Sequence, residues 1–126
     1  MTILQLNKVA IALFFTHAVE EYISGFYLTD PLFLRTSDVT HSAPQTVFFV
    51  EQFLLLALLT FAIYKPRKIV CIIIGLLLVS ELIHLILAIF LQIYSGLLTS
   101  LPLVLLGALY WKRLLASELF SRGPIQ

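Results

Sequence analysis

The sequence predicts an all-α fold: a polytopic membrane protein of four transmembrane helices in one bundle, with both termini on the cytoplasmic side. Three observations predict it. Of the 126 residues, 60% are hydrophobic and only 12% charged, whereas a soluble domain runs near half apolar and a quarter charged. The mean hydropathy of +1.02 is too high for a surface that faces water. Four apolar stretches alternate with polar breaks, and the basic residues gather at one set of stretch ends, as cytoplasmic loops require. A soluble globular domain, a disordered chain and a coiled coil are excluded. Since a span takes roughly 20 residues, the length suits a single domain over residues 1–126.

The first span covers about Val9 to Leu28. Lys8 before VAIALFF resembles the start of a signal peptide, but no small-x-small cleavage site follows and the helical pattern continues through HAVEEY, so the segment is read as retained. A polar connector, 29–45, holds Asp30, Pro31, Arg35, Asp38, His41 and Pro44. The second span runs from about Thr46 to Tyr64, with Glu51 as its charge, and stops at Lys65-Pro66-Arg67-Lys68. The third, about Ile69 to Leu91, is the most apolar and carries Glu81 and His84. Tyr94-Ser95-Gly96 marks a turn, and the fourth span, about Leu97 to Trp111, contains Pro102 and ends at Lys112-Arg113. Lys8, Lys65 to Lys68, Lys112, Arg113 and Arg122 then share the cytoplasmic side, with Arg35 alone outside. Tyr64, Tyr94, Tyr110 and Trp111 fall near span ends as interface anchors. A bacterial-type cytoplasmic membrane is the expected location and the lipid bilayer the expected partner. Nothing points to nucleic acid: there is no basic run interleaved with aromatics and no glycine-rich phosphate loop. The single Cys71 excludes an intrachain disulfide and reads as a packing residue.

The net charge of +1 conceals a sharper pattern. Glu20, Glu21, Glu51 and Glu81, with His17 and His84, lie inside the spans. Counting roughly 1.5 Å per residue from the cytoplasmic boundary places His17 roughly 12 Å deep, Glu20, Glu21 and Glu81 roughly 17–18 Å, and His84 and Glu51 roughly 22 Å. His17, Glu20, Glu21 and Ser24 form one helical stripe, and Glu81, His84 and Gln92 another. Each charged residue at a span centre costs roughly 2.5–3.5 kcal/mol, so four unpaired glutamates cost about 10 kcal/mol. With no basic side chain inside the spans, relief must come from protons, hydrogen bonds, water or a bound cation.

His17-Ala18-Val19-Glu20-Glu21 matches an H-x-x-E-E signature, and the chain resembles the HXXEE-motif family of small integral membrane proteins. The likeness covers nearly the whole chain: His84 and Tyr94-Ser95-Gly96-Leu97-Leu98-Thr99 are similar to a Tyr, Gly, Thr pattern near that family's last span, with Ser95 standing where the family pattern has proline. The resemblance implies a fold type and a polar site, and no particular reaction.

The residues themselves leave several chemistries open. Foremost is a divalent metal held by His17, Glu20, Glu21, Glu51, Glu81 and His84. Four carboxylates and two histidines, including Glu81-x-x-His84, suit a di-iron or di-manganese centre in a four-helix bundle, and with it an oxidoreductase, although the first helix reverses the order to His-x-x-Glu. A single zinc on His17, His84 and one Glu, with a second Glu as base, suits a hydrolase. In either case Glu20, Glu21 and Glu81 are the candidate catalytic groups and the substrate is a lipid or other hydrophobic small molecule. The alternatives are a metal-free acid–base isomerase, a proton- or cation-coupled transport or ligand-binding protein, and a packed polar core. Four short helices are few for a transporter, which leaves a homo-oligomer open. Glu51, the lone charge of its span, also reads as a near-interface residue that snorkels, and Thr99 sits where it can reach the same slab.

Overall fold

The computed structural model describes residues 1–91 and 97–117, which are almost entirely helical. The Gln92 position of the polar stripe, the Tyr94-Ser95-Gly96 turn and Arg122 lie outside the described residues. Helix α1 spans Ile3–Ser24, α2 Pro31–Thr40, α3 Pro44–Tyr64, α4 Lys68–Ser80, α5 Leu82–Leu91 and α6 Leu97–Leu115. A single 3-10 turn, Phe26–Leu28, joins α1 to α2.

Helix α1 begins well before Val9 because Thr2 and Gln5 make a reciprocal capping box: the Gln5 N–H donates to Thr2 Oγ1 at 3.2 Å and the Thr2 N–H to Gln5 Oε1 at 2.8 Å, satisfying two otherwise orphaned donors. It ends at Gly25, whose φ of 71° is open to glycine without a Cβ penalty. Its 22 residues reach about 33 Å, long enough to cross a bilayer. The helices that are both long and apolar enough to do so are Pro44–Tyr64, Lys68–Ile86 and Leu97–Leu115. Helix α1 falls outside that group because Asn7, Lys8, His17, Glu20 and Glu21 dilute its apolar content.

The connector is more ordered than its polar composition suggests. Asp30 Oδ1 accepts the Phe33 N–H at 3.2 Å and Pro31 takes the first helical position, where its missing N–H costs nothing. The α2–α3 turn is closed by the Ser37 hydroxyl donating to the Ser42 carbonyl. The third predicted span keeps one apolar helix of spanning length over Lys68–Ile86, interrupted between α4 and α5 at the single residue Glu81, whose backbone stays in the right-handed helical region. Ser80 Oγ donates to the Leu77 carbonyl at 2.8 Å, the kind of local bond that bends a helix.

The core is a set of stripes with residues three or four apart. Leu6, Ala10 and Phe14 of α1 meet Leu59 and Ala62 of α3, Val70, Cys71, Ile74 and Leu78 of α4, and Leu103, Leu106, Tyr110 and Leu114 of α6. Helix α1 packs on both α3 and α6, and α4 on α6. Two glycines permit the last contact: a Cβ on Gly107 would stand 3.0 Å from Leu78 Cβ, and one on Gly75 only 2.9 Å from Trp111 Cε2. Trp111 Nε1 donates to the Gly75 carbonyl at 2.9 Å. Phe26, Phe33 and Phe48 form a second apolar cluster at the α2 end. Phe53, Leu54, Leu76 and Leu105 remain exposed, which suits a lipid-facing surface.

Candidate functional site

The inward stripe of α1 continues past Phe14 as His17 and Glu21, that of α4 past Leu78 as Glu81, and that of α6 begins at Ser100. All four positions keep the three-or-four spacing that carries the apolar core, so burial of the stripe buries them too. His17, Glu21 and Glu81 are 2%, 3% and 8% exposed. His84, one turn beyond Glu81, completes the group. His17 lies about 21 Å along α1, on the side of the bundle away from Lys8, Lys65 and Lys112.

The polar atoms converge closely. His17 Nε2 lies 3.0 Å from Glu81 Oε2 and 3.3 Å from Glu21 Oε1. His84 Nε2 lies 3.6 Å from Glu21 Oε1 and 3.7 Å from Glu81 Oε2. The two imidazoles meet edge to face with centroids 5.1 Å apart, and Phe26 lies 4.9 Å from the His84 ring. Ser100 Oγ donates to Glu81 Oε2 at 3.3 Å, and Gln52 Nε2 donates to Glu21 Oε2 at 3.3 Å.

A second chain of contacts sets the state of His17. The Glu20 carboxylate accepts the Leu98 N–H at 2.9 Å and the Thr99 N–H at 3.0 Å, capping α6 from a neighbouring helix at the positive end of its dipole. The same carboxylate accepts the Thr99 hydroxyl at 2.6 Å. Since that hydroxyl has one proton and gives it to Glu20, its oxygen must accept from His17 Nδ1, 2.8 Å away. A neutral His17 therefore carries its proton on Nδ1, and its Nε2 lone pair faces two carboxylates. Two buried carboxylates thus face the imidazoles, with Ser100 and Gln52 each donating to one of their oxygens, and a proton or a metal ion between them would offset their negative charge.

The distances suit a small ion. A tetrahedral ion with N and O ligands at about 2.1 Å has ligand–ligand edges of about 3.4 Å, and the four imidazole–carboxylate separations of 3.0 to 3.7 Å bracket that value. The ligand atoms of His17, Glu81 and His84 all lie within 4.8 Å of one another, so this group can hold a metal ion. The Glu21 carboxylate stands beside the three, within reach of both imidazoles.

Comparison with protein-family models, with curated proteins and with solved structures finds no match for this chain.

Of the six residues expected to bind metal, the structure brings four together: His17, Glu21, Glu81 and His84. Glu20 is turned about 100° from the inward stripe and its carboxylate is committed to the start of α6, so it is not among the clustered acceptors. Glu51 is exposed and reaches only the wall of the cavity beside the group. His17, Glu81 and His84 are the group whose ligand atoms converge, and Glu51 stands on the wall of the same cavity. The cavity, about 200 Å³, is lined by all four clustered residues and also by Asp30 and Gln52. Thr99 joins as the partner of His17. Gln52 is the residue sequence reasoning missed, although its signal was present: Phe48, Gln52, Leu55, Leu59 and Ala62 repeat at four, three, four and three, so Gln52 and not Glu51 lies on the inward stripe of α3.

Proposed function

We propose that the chain is a four-span protein of a bacterial-type cytoplasmic membrane, both termini inside, that binds one divalent metal ion at His17, Glu81 and His84 and hydrolyses a lipid-soluble substrate. The observation that carries this reading is the convergence of His17, Glu81 and His84, whose ligand atoms all lie within 4.8 Å of one another, with Nε2 of His17 facing both Glu21 and Glu81. Zinc fits best, because two imidazoles and a carboxylate are a common three-ligand set for a catalytic zinc. The ion supplies a Lewis acid that acidifies water and polarises a carbonyl. Glu21 is left to take the proton from a water in the cavity, with Gln52 holding its other oxygen in place. The Glu20–Thr99–His17 chain fixes the ligand imidazole in the required tautomer, as outer partners of metal-bound histidines do.

The membrane reading is supported by three apolar helices of spanning length, by the length of α1, and by the gathering of Lys8, Lys65, Arg67, Lys68, Lys112 and Arg113 at one end of the bundle. The H-x-x-E-E resemblance points the same way, since its His17 and Glu21 are the pair that meets Glu81 and His84. A second reading has a specific observation behind it: the 3.0 Å His17–Glu81 contact is short enough for a shared proton, which would serve metal-free acid–base chemistry. Elemental analysis of the purified protein separates the two. The metal reading expects about one equivalent of zinc per chain, lost in His17→Ala and His84→Ala. A preparation free of metal yet fully active refutes it in favour of the shared proton.

A further inference from the structure

Lys112 and Arg113 have no part in the His/Glu group, which lies toward the other end of the bundle. Both belong to the last turn of α6, and both line a hollow of about 160 Å³ shared with Met1, Leu6 and Leu109. Both are exposed. Among the described residues no carboxylate lines this hollow, and neither basic side chain has an ion-pair or hydrogen-bond partner. The negative end of the helix dipole favours cations there, but it does not account for the hollow they line. An apolar strip leads to the same place. Leu98, Leu101, Leu105 and Leu109 are each more than half exposed, and with Lys112 they repeat at three, four, four and three, so they share one face of α6. Leu109 belongs to both the strip and the hollow. From Leu101 to Leu109 the strip covers about 12 Å, most of the roughly 15 Å depth of one leaflet.

Resting on the membrane part of the reading above and not on its metal, we infer that the strip and the hollow hold one anionic phospholipid, with its phosphate at Lys112 and Arg113 and an acyl chain along Leu109, Leu105 and Leu101. Arg113 offers a planar fork that can pair two phosphate oxygens at once, and Lys112 adds a point charge beside it. The proposed orientation puts this end at the cytoplasmic leaflet, which is the anionic one, and basic pockets between helices on that side suit such headgroups. A zwitterionic headgroup carries its own ammonium group toward the two cations. Free phosphate shares the headgroup chemistry but leaves the leucine strip uncovered.

The test uses the full chain in detergent, with bound lipid counted by native mass spectrometry. The probes are palmitoyl-oleoyl phosphatidylglycerol, phosphatidylcholine with the same chains, and inorganic phosphate. Phosphatidylglycerol should bind at least about tenfold more tightly than phosphatidylcholine, and millimolar phosphate should not displace it. The double variant Lys112→Gln/Arg113→Gln should lose the preference. Lys65→Gln/Arg67→Gln, which removes the same charge from the same end of the bundle, should keep it. Equal binding of the two lipids, displacement by phosphate, a preference that survives in Lys112→Gln/Arg113→Gln, or one lost in Lys65→Gln/Arg67→Gln overturns the lipid site. Failure of the wild-type protein to float with phosphatidylcholine vesicles overturns the membrane reading too, whereas flotation without a phosphatidylglycerol preference overturns the lipid site alone. If Lys112→Gln/Arg113→Gln does not fold, the wild-type comparison and the Lys65/Arg67 variant decide.

Discussion

Replacing Thr99 with valine removes one hydroxyl and almost no volume, so it isolates the chain that orients His17. In the native arrangement that hydroxyl donates to Glu20 at 2.6 Å and accepts from His17 Nδ1 at 2.8 Å. Valine leaves the Nδ1 proton without its acceptor and frees the imidazole to rotate or to take the other tautomer, which turns a proton instead of a lone pair toward Glu21 and Glu81. Loss of an outer partner of a metal-bound histidine typically weakens metal binding about 10–100-fold, or about 1.4–2.7 kcal/mol. Glu20 keeps both backbone N–H bonds, so the start of α6 stays capped and the fold loses little. The assay is a zinc titration against a chromophoric chelator in detergent, with Thr99→Ser as the control that restores the hydroxyl. The expected order is wild type and Thr99→Ser together, with Thr99→Val weaker by the stated factor. Equal zinc affinity for Thr99→Val and the wild type would refute the argument, because His17 would then hold its orientation without the relay.

Further predictions concern neighbouring features. Glu20→Ala strips the acceptor from three donors at the start of α6 and should lower thermal stability by about 3 kcal/mol or more, measured by thermal unfolding in detergent, whereas Glu51→Gln should change neither stability nor zinc content. Gly75→Ala pushes a methyl to within 2.9 Å of the Trp111 ring and should destabilise the α4–α6 contact by about 1–3 kcal/mol; Gly75→Ala with Trp111→Leu should recover part of the loss. A cysteine placed at exposed His41 should react with a membrane-impermeant maleimide added to intact cells, and one at Lys112 should not; the reverse pattern contradicts the proposed orientation.

Much of this arrangement was legible in the residues, and the places where it was not are instructive. Charge alone singles out His17, Glu20, Glu21, Glu51, Glu81 and His84, because each is expensive in an apolar span. Spacing sorts them more finely. Glu21 follows Phe14 and His17 on the inward stripe, while Glu20 is one residue off it and finds the open end of α6 instead. Grouping Glu20 with Glu21 treated a wide helical face as one direction. The same shift of one residue separates Glu51 from Gln52. Gln52 drew no notice because it is uncharged, yet it is the neutral amide that reaches Glu21. The order of the connector was readable locally, from Asp30 and Pro31 as the cap and first residue of α2. The one-residue interruption at Glu81 was not, since Leu77 to His84 reads as continuous helix.

The coordination of the bound ion tests the central claim most directly. X-ray absorption on the zinc-loaded protein should show imidazole nitrogen from two histidines and carboxylate or water oxygen, all at about 2.0–2.2 Å, with one imidazole lost in His17→Ala and in His84→Ala. A sulfur neighbour at about 2.3 Å would place the ion at Cys71, and a zinc shell without imidazole would place it on the surface. Either result contradicts a metal site built from His17, Glu81 and His84.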